Sequence, residues 1–183
     1  MSDTQQKLEE LVEEPMGDDD IHLYFPNAKI MRYGDLQQYS SIDHLLPKEV
    51  DYCFILYEDS VNKGHWTCVS KYGSTVEFFD SYGGYPDSQL AWVDMARRLK
   101  LNQARPWLTH LFDLCPYNVI YNPFKYQTES EDISTCGRHC VWRIINLVEN
   151  DKDLEGYYKM MKKLKSETNE SYDQIVARMI TAK

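Results

Sequence analysis

Three strand-length segments follow one another between residues 51 and 79, and they leave this chain few folds to choose from. Asp51-Tyr-Cys-Phe-Ile-Leu-Tyr57 is a short apolar run rich in aromatics. His65-Trp-Thr-Cys-Val-Ser70 and Ser74-Thr-Val-Glu-Phe-Phe79 alternate with the period of two that marks a half-buried strand. A turn around Lys71-Tyr72-Gly73 joins the last two into an antiparallel hairpin, in which the numbers of paired residues add to a constant. A turn centred between Tyr72 and Gly73 pairs Val69 with Val76 and His65 with Asp80. That sets an imidazole across from a carboxylate at the open end of the hairpin, about 4.5–5.5 Å apart at Cβ. A slip of one residue would send the two to opposite faces. A carboxylate beside an imidazole fixes its tautomer and raises its basicity. Taken alone, such a pair reads first as a half-exposed hydrogen-bonded contact with no task, and only second as a catalytic one.

The rest of the chain reads as helices gathered towards both ends of this sheet. Ser88 opens a helix with Leu90, Val93, Ala96 and Leu99 on one face, and Tyr117–Tyr121 is a further strand. Residues 21–46 are mixed, with a short helix at Tyr33–Gln38 or Ser41–Leu46. Asn122–Thr135 is a polar loop of about fourteen residues, a length that in compact domains is functional or disordered. A buried helix over Cys136–Glu149 follows, with Cys140, Val141, Ile144, Ile145 and Val148 at helical spacing. Helices over Leu154–Lys165 and Ser171–Thr181 close the chain, the last announced by a capping box of Ser171 and Gln174. The outline is α+β, a central mixed sheet flanked by helices.

Charge separates the ends of the chain. The first twenty residues hold eight acids and one base, a net charge of −7 against −9 for all 183 residues. They read as an acidic, partly helical N-terminal arm that can be mobile, ended by Pro15 and Gly17, and residues 21–183 read as a single domain. The near-neutral body argues against nucleic acid as the main ligand. Lys159, Lys162, Lys163 and Lys165 read as a solvated helix face rather than a binding patch. No apolar run approaches a membrane span, and the acidic start is not a secretory signal. Five cysteines, an odd number at irregular spacing, do not form a disulfide framework. The expectation is reduced thiols in an intracellular compartment.

Among those thiols Cys136 stands apart. It sits where the long polar loop turns into the buried helix, with Gly137 behind it to let backbone or ligand approach. A helix N-terminus favours thiolate through its unpaired N–H groups and dipole, a nearby imidazolium favours it further, and the thiolate is the attacking species in acyl transfer. A small cysteine filling a helix–sheet junction is the plain alternative. Metal binding is a competitor, because Cys136, His139 and Cys140 lie within five residues and His110 and Cys115 not far upstream. CxxHC is not a common zinc spacing, however, and on a helix positions 139 and 140 point about 100° apart. The reading is no metal. Cys53 and Cys68 read as core residues. Gln127, nine residues before Cys136, could offer an amide to a developing oxyanion beside the Cys136 N–H, with Gln103 as the alternative glutamine.

With these residues in view, the chain resembles the adenain-like and SUMO-specific cysteine peptidases. Four motifs occur in that family's order: Gly64-His65-Trp66, Phe78-Phe79-Asp80-Ser81, Gln127, and Thr135-Cys136-Gly137-Arg138-His139-Cys140. Papain-like enzymes and transglutaminases place the cysteine before the histidine. The resemblance covers roughly residues 50–150. It implies the adenain-like fold and a thiol endopeptidase with Cys136 as nucleophile, His65 as general base, Asp80 orienting His65, and Gln127 helping to form the oxyanion hole. Trp66 and Gly137 would line the site. Cleavage after small residues, often at glycine pairs, is implied as well. The gap from Gln127 to Cys136 is longer than the family usually shows.

The short FFDSYG and TCGRHC strings are most similar to maturation proteases of large DNA viruses, virophages or related transposons. A capsid or virion-precursor protein is then the expected substrate, and the virion and viral factory in the host cytoplasm the expected location. A monomer that requires no cofactor is expected. Adenain itself uses DNA and a peptide as activators, which the overall charge here does not support. The alternatives are a SUMO-type deconjugating protease and a non-catalytic binding module of the same fold.

Overall fold

A computed structural model describes residues 3–182; residues 1, 2 and 183, the outermost ends of the expected arm and domain, lie outside the described residues. In chain order the regular elements are α1 (Asp3–Glu13), α2 (Asp18–Tyr24), β1 (Lys29–Arg32), a 3₁₀ turn (Tyr33–Gln38), α3 (Ile42–Leu45), β2 (Tyr52–Ser60), β3 (Lys63–Tyr72), β4 (Thr75–Phe79), a second 3₁₀ turn (Ser88–Trp92), α4 (Met95–Lys100), α5 (Trp107–Asp113), β5 (Asn118–Tyr121), α6 (Cys136–Val148), α7 (Leu154–Thr168) and α8 (Tyr172–Met179). The chain is α+β and folds as two compact units. One is made of Ala28–Asp80 and Gly84–Pro123, the other of Ser81–Gly83 with the two ends of the chain, up to Asn27 and from Phe124 onward.

The first unit carries the sheet. Its five strands run in the order β1-β2-β3-β4-β5, with β2-β3-β4 antiparallel and both outer pairs parallel. Met31, Cys53, Ile55, Tyr57, Val69, Val76 and Phe78 form one apolar face, and Ile42 and Leu45 of α3 with Leu108, Leu111 and Phe112 of α5 pack onto it. The alternate residues Phe54, Leu56, Trp66, Cys68 and Phe79 are buried as well. Burial on both faces is why Asp51–Tyr57 reads as a continuous apolar run rather than an alternating one.

The hairpin register differs from the sequence expectation by two residues. Cys68 pairs with Phe79, Val69 with Phe78 and Tyr72 with Thr75, so the turn is centred between Gly73 and Ser74 and not between Tyr72 and Gly73. Gly73 takes φ +54°, and a two-residue hairpin with a left-handed first position puts its glycine there, which moves the turn centre past it. Because the shift is even, each side chain keeps its face. In the observed register Asp80, the residue just past β4, aligns with Thr67, and His65 is its diagonal neighbour on the same face.

The expected helix from Ser88 to Leu99 is broken. A 3₁₀ turn ends at Trp92, and Asp94 starts α4 afresh by accepting a 3.0 Å hydrogen bond from the Arg97 N–H. Leu90 and Val93 are buried, but Leu99 is exposed. The Asp94 side chain offers the backbone a cap where the periodicity alone offers continuation. Strand β1 and helices α2 and α5 are elements with no counterpart in the sequence reading.

The second unit is helical. Helix α8 packs against α1, α6 and α7, and α2 against α6. Ile21, Cys140, Val141, Ile144, Tyr157, Met161, Ile175, Val176 and Ile180 are buried. Segment 12–14 is joined to the start of α6 by polar contacts. The Val12 carbonyl accepts from the Ser134 N–H at 2.9 Å, and the buried Arg138 guanidinium reaches the Glu14 carbonyl, the Glu14 carboxylate and the Ile180 carbonyl. Among the described residues no helix is long and apolar enough to cross a membrane.

Candidate active site

The sheet unit holds a hydrogen-bonded imidazole and carboxylate. His65 Nε2 lies 2.7 Å from Asp80 Oδ1; the Asp80 side chain is fully buried and that of His65 is 13% exposed. The two-residue shift in register makes them diagonal rather than direct partners, a distance the long histidine side chain spans. With Asp80 on Nε2, the ring is held with Nδ1 as the nitrogen turned away from the carboxylate. Strand alternation turns Trp66 to the opposite face, where it is buried and pairs with Leu56.

The helical unit holds Cys136, Gly137 and Gln127. Cys136 is the first residue of α6, partly exposed and free of any disulfide, and Gly137 is buried behind it. Thr135 is the N-cap residue, but its hydroxyl accepts no hydrogen bond from the N–H groups of the first turn. The position suits an anion, since the first turn of a 13-residue helix presents N–H groups with no intrahelical acceptor. Gln127 is buried, with its side-chain carbonyl fixed by the Ser81 hydroxyl at 2.7 Å and its backbone N–H on the Ser81 carbonyl at 3.0 Å. Its oxygen is tied down by Ser81, and its NH₂ group donates to the Ile133 carbonyl at 3.4 Å. Gln103, the alternative, is otherwise engaged: its amide accepts from the Glu58 N–H at 2.8 Å and donates to the Glu58 carbonyl at 2.7 Å, bracing β2.

The comparisons with known proteins bear on kinship. The chain is 39% identical over 141 residues to a virophage protein, "Uncharacterized protein V9" of the Sputnik virophage, an alignment spanning 73% of this chain and 80% of that one. The chain belongs to the V9 family of virophage proteins. No known family model matches it. Among solved structures, the central domain of the uncharacterized Lpg1148 protein from Legionella pneumophila aligns with a TM-score of 0.38 and 21% identity over 78% of this chain and 80% of that one, too distant a likeness to bear on fold or function.

Several groups that hold these residues in this V9-family chain carry no signal in the sequence. Gln89 donates to Asp80 Oδ2 at 2.8 Å, so the two carboxylate oxygens are divided between an imidazole and an amide, and Asn122 donates to the Asp80 carbonyl at 2.7 Å. Gly84 lies so close that a Cβ there would be 3.0 Å from Asp80 Oδ2. A glutamine one residue before a buried leucine follows no periodic pattern, and nothing in its spacing marks it. His139 of the CxxHC cluster is fully buried with Nε2 3.1 Å from Asp173 Oδ1, and Cys140 is fully buried. Cys53 and Cys68 are buried in the sheet, and burial pushes the Cys53 thiol up to about 12. Of the α7 lysines, Lys159 pairs with Glu155 at 2.6 Å and Lys163 with Glu167 at 3.7 Å, which offsets half of that basic face.

Proposed function

We propose that this V9-family chain is a thiol endopeptidase of the adenain-like fold that processes virion-precursor proteins after small residues. The observation that carries the reading is the buried Asp80 carboxylate holding Nε2 of His65, on a chain whose partly exposed, helix-leading Cys136 follows downstream in the order His, Asp, Gln, Cys. The virophage kinship supports a viral substrate and a location in the virion or viral factory.

The chemistry assigns one task to each group. His65 Nδ1 takes the Cys136 proton, and Asp80 on the other nitrogen stabilises the imidazolium that forms. The thiolate attacks the carbonyl carbon of the scissile peptide. The oxyanion accepts hydrogen bonds from the Cys136 N–H and the Gln127 amide, whose carbonyl end is already fixed by Ser81. His65 returns its proton to the leaving amine, and water, deprotonated by His65, hydrolyses the thioester and frees the sulfur. The reading requires the ring of His65 to reach the Cys136 sulfur in the acting protein.

The test is to incubate the protein, and its Cys136→Ala variant, with capsid proteins encoded by the same genome and to sequence the new termini. Cysteine-dependent cleavage at glycine-containing junctions is expected. Cleavage confined to ubiquitin-like-modifier conjugates would move the enzyme to the deconjugating class, and cleavage that survives Cys136→Ala would refute the assignment.

A further inference from the structure

The nine-residue separation of Gln127 and Cys136 has a structural counterpart in α8. Asp173, in the first turn of that helix, is buried and accepts three hydrogen bonds. Its Oδ2 takes the Thr128 N–H at 3.0 Å; its Oδ1 takes the Thr135 hydroxyl at 2.5 Å and faces Nε2 of His139 at 3.1 Å. Thr128 directly follows Gln127, and Thr135 directly precedes Cys136. One carboxylate therefore ties together the two ends of the segment between the two oxyanion donors. The intervening residues form an exposed turn of their own, with Ile133 N–H on the Ser130 carbonyl at 3.2 Å and the Gln127 amide 3.4 Å from the Ile133 carbonyl.

We propose that Asp173 is a positioning residue for catalysis: it closes the base of the 128–135 loop and so sets the spacing between the Gln127 amide and the Cys136 N–H. The inference rests on the peptidase reading and deepens it. A loop of this length with loose ends would let its two donors drift, and a misplacement of about 1 Å can cost about 10²-fold in rate. Pinched at its base, the loop holds its two ends and so the donor spacing together, and the Ile133 carbonyl beside the Gln127 amide adds a second tie. Three donors on one buried carboxylate also keep it ionised. Burial alone would raise the Asp173 carboxyl, but the His139 ring, the Thr135 hydroxyl and the Thr128 amide together bring it below its ordinary value. His139 thus serves the clamp, with its Nδ1 lacking a hydrogen-bond partner among the described residues.

The test is a double-mutant cycle on the full chain with a coumarylamide peptide ending in glycine as substrate, using Asp173→Asn, Gln127→Ala and the pair. Asp173→Asn keeps the shape but supplies one acceptor oxygen in place of two, and Thr135→Val removes one arm of the clamp as a milder second variant. A drop in kcat of about 10–100-fold with KM little changed is expected for Asp173→Asn, and a smaller one for Thr135→Val. Because Asp173 acts through the glutamine, the double variant should be within about twofold of Gln127→Ala alone. Losses that multiply, or an Asp173→Asn enzyme as fast as wild type, overturn the proposal. Hydrogen exchange over residues 127–140 reads the clamp without turnover: faster exchange there in Asp173→Asn supports it, and unchanged protection overturns it. A wild-type Cys136 no more reactive than Cys115 would sink the peptidase reading, and the catalytic role with it. The exchange result would then report separately on the clamp.

Discussion

Two aspartates in this molecule hold a histidine ring from a buried position, and the difference lies in the ring. His65, on Asp80, is 13% exposed, whereas His139, on Asp173, is fully buried. Asp80 divides its oxygens between the imidazole and Gln89, whereas Asp173 adds a loop amide and the Thr135 hydroxyl to its imidazole. A ring that must pass protons needs an edge open to its partner and to solvent. A ring that only completes a hydrogen-bond network does not. The same residue pair is thus a candidate proton relay in the sheet unit and a brace in the helical unit, and accessibility is what separates the roles.

The contrast can be broken by substitution. Removal of the attacking or proton-carrying group should have the largest effect: Cys136→Ala or His65→Ala should lower kcat by about 10⁴–10⁶ with the melting temperature preserved. His139→Ala should instead cost about 1–3 kcal/mol of stability, read by denaturant unfolding, as a buried partner of Asp173 is lost. If His139→Ala cut turnover as deeply as His65→Ala at unchanged stability, the two pairs would have been assigned the wrong way round. Gln127→Ala should cost about 10²–10³ in kcat, as other oxyanion donors do; no loss would remove it from the mechanism. Asp80→Ala should slow turnover by about 10–100-fold, less than His65→Ala, since it orients the ring and does not carry the proton. Gly84→Ala, whose new methyl would meet Ser88 Oγ at 2.5 Å and Asp80 Oδ2 at 3.0 Å, should give a milder version of the same defect, and a wild-type rate would show that these side chains can yield.

The smallest effect is the pH response of the brace. The folded-state pKa of Asp173 lies below its ordinary value, so its ionised form adds stability above about pH 4, and that contribution fades as pH falls through the folded value. Thermal melts against pH should show wild type and Asp173→Asn converging under acid. Parallel curves would mean that the carboxylate is not held as described.

How much of this was legible in the sequence follows the range of the interactions. β2 announces itself as a continuous apolar run, β3 and β4 by local alternation, and the start of α8 by Ser171 and Gln174, which do form a reciprocal cap at 2.9 and 3.1 Å. β1, of four residues, exists through parallel pairing with β2 and has too little pattern of its own, and the seven-residue α2 and α5 are similarly short. The facing of His65 and Asp80 could be read despite a misplaced turn, because an error of two preserves the parity of every side chain. Gln89 and Asp173 could not be read at all. Each is a polar residue in an amphipathic stretch, and its task is set by where the tertiary fold delivers it.

The most direct test of the central claim is the alkylation of Cys136 by iodoacetamide as a function of pH, followed by mass spectrometry at each cysteine. The account predicts that Cys136 reacts at mildly acidic pH well before Cys53, Cys68, Cys115 and Cys140, with Cys53 kept protonated by burial, and that His65→Ala abolishes this lead. A Cys136 that reacts no faster than Cys115, or that keeps its full reactivity without His65, would contradict it.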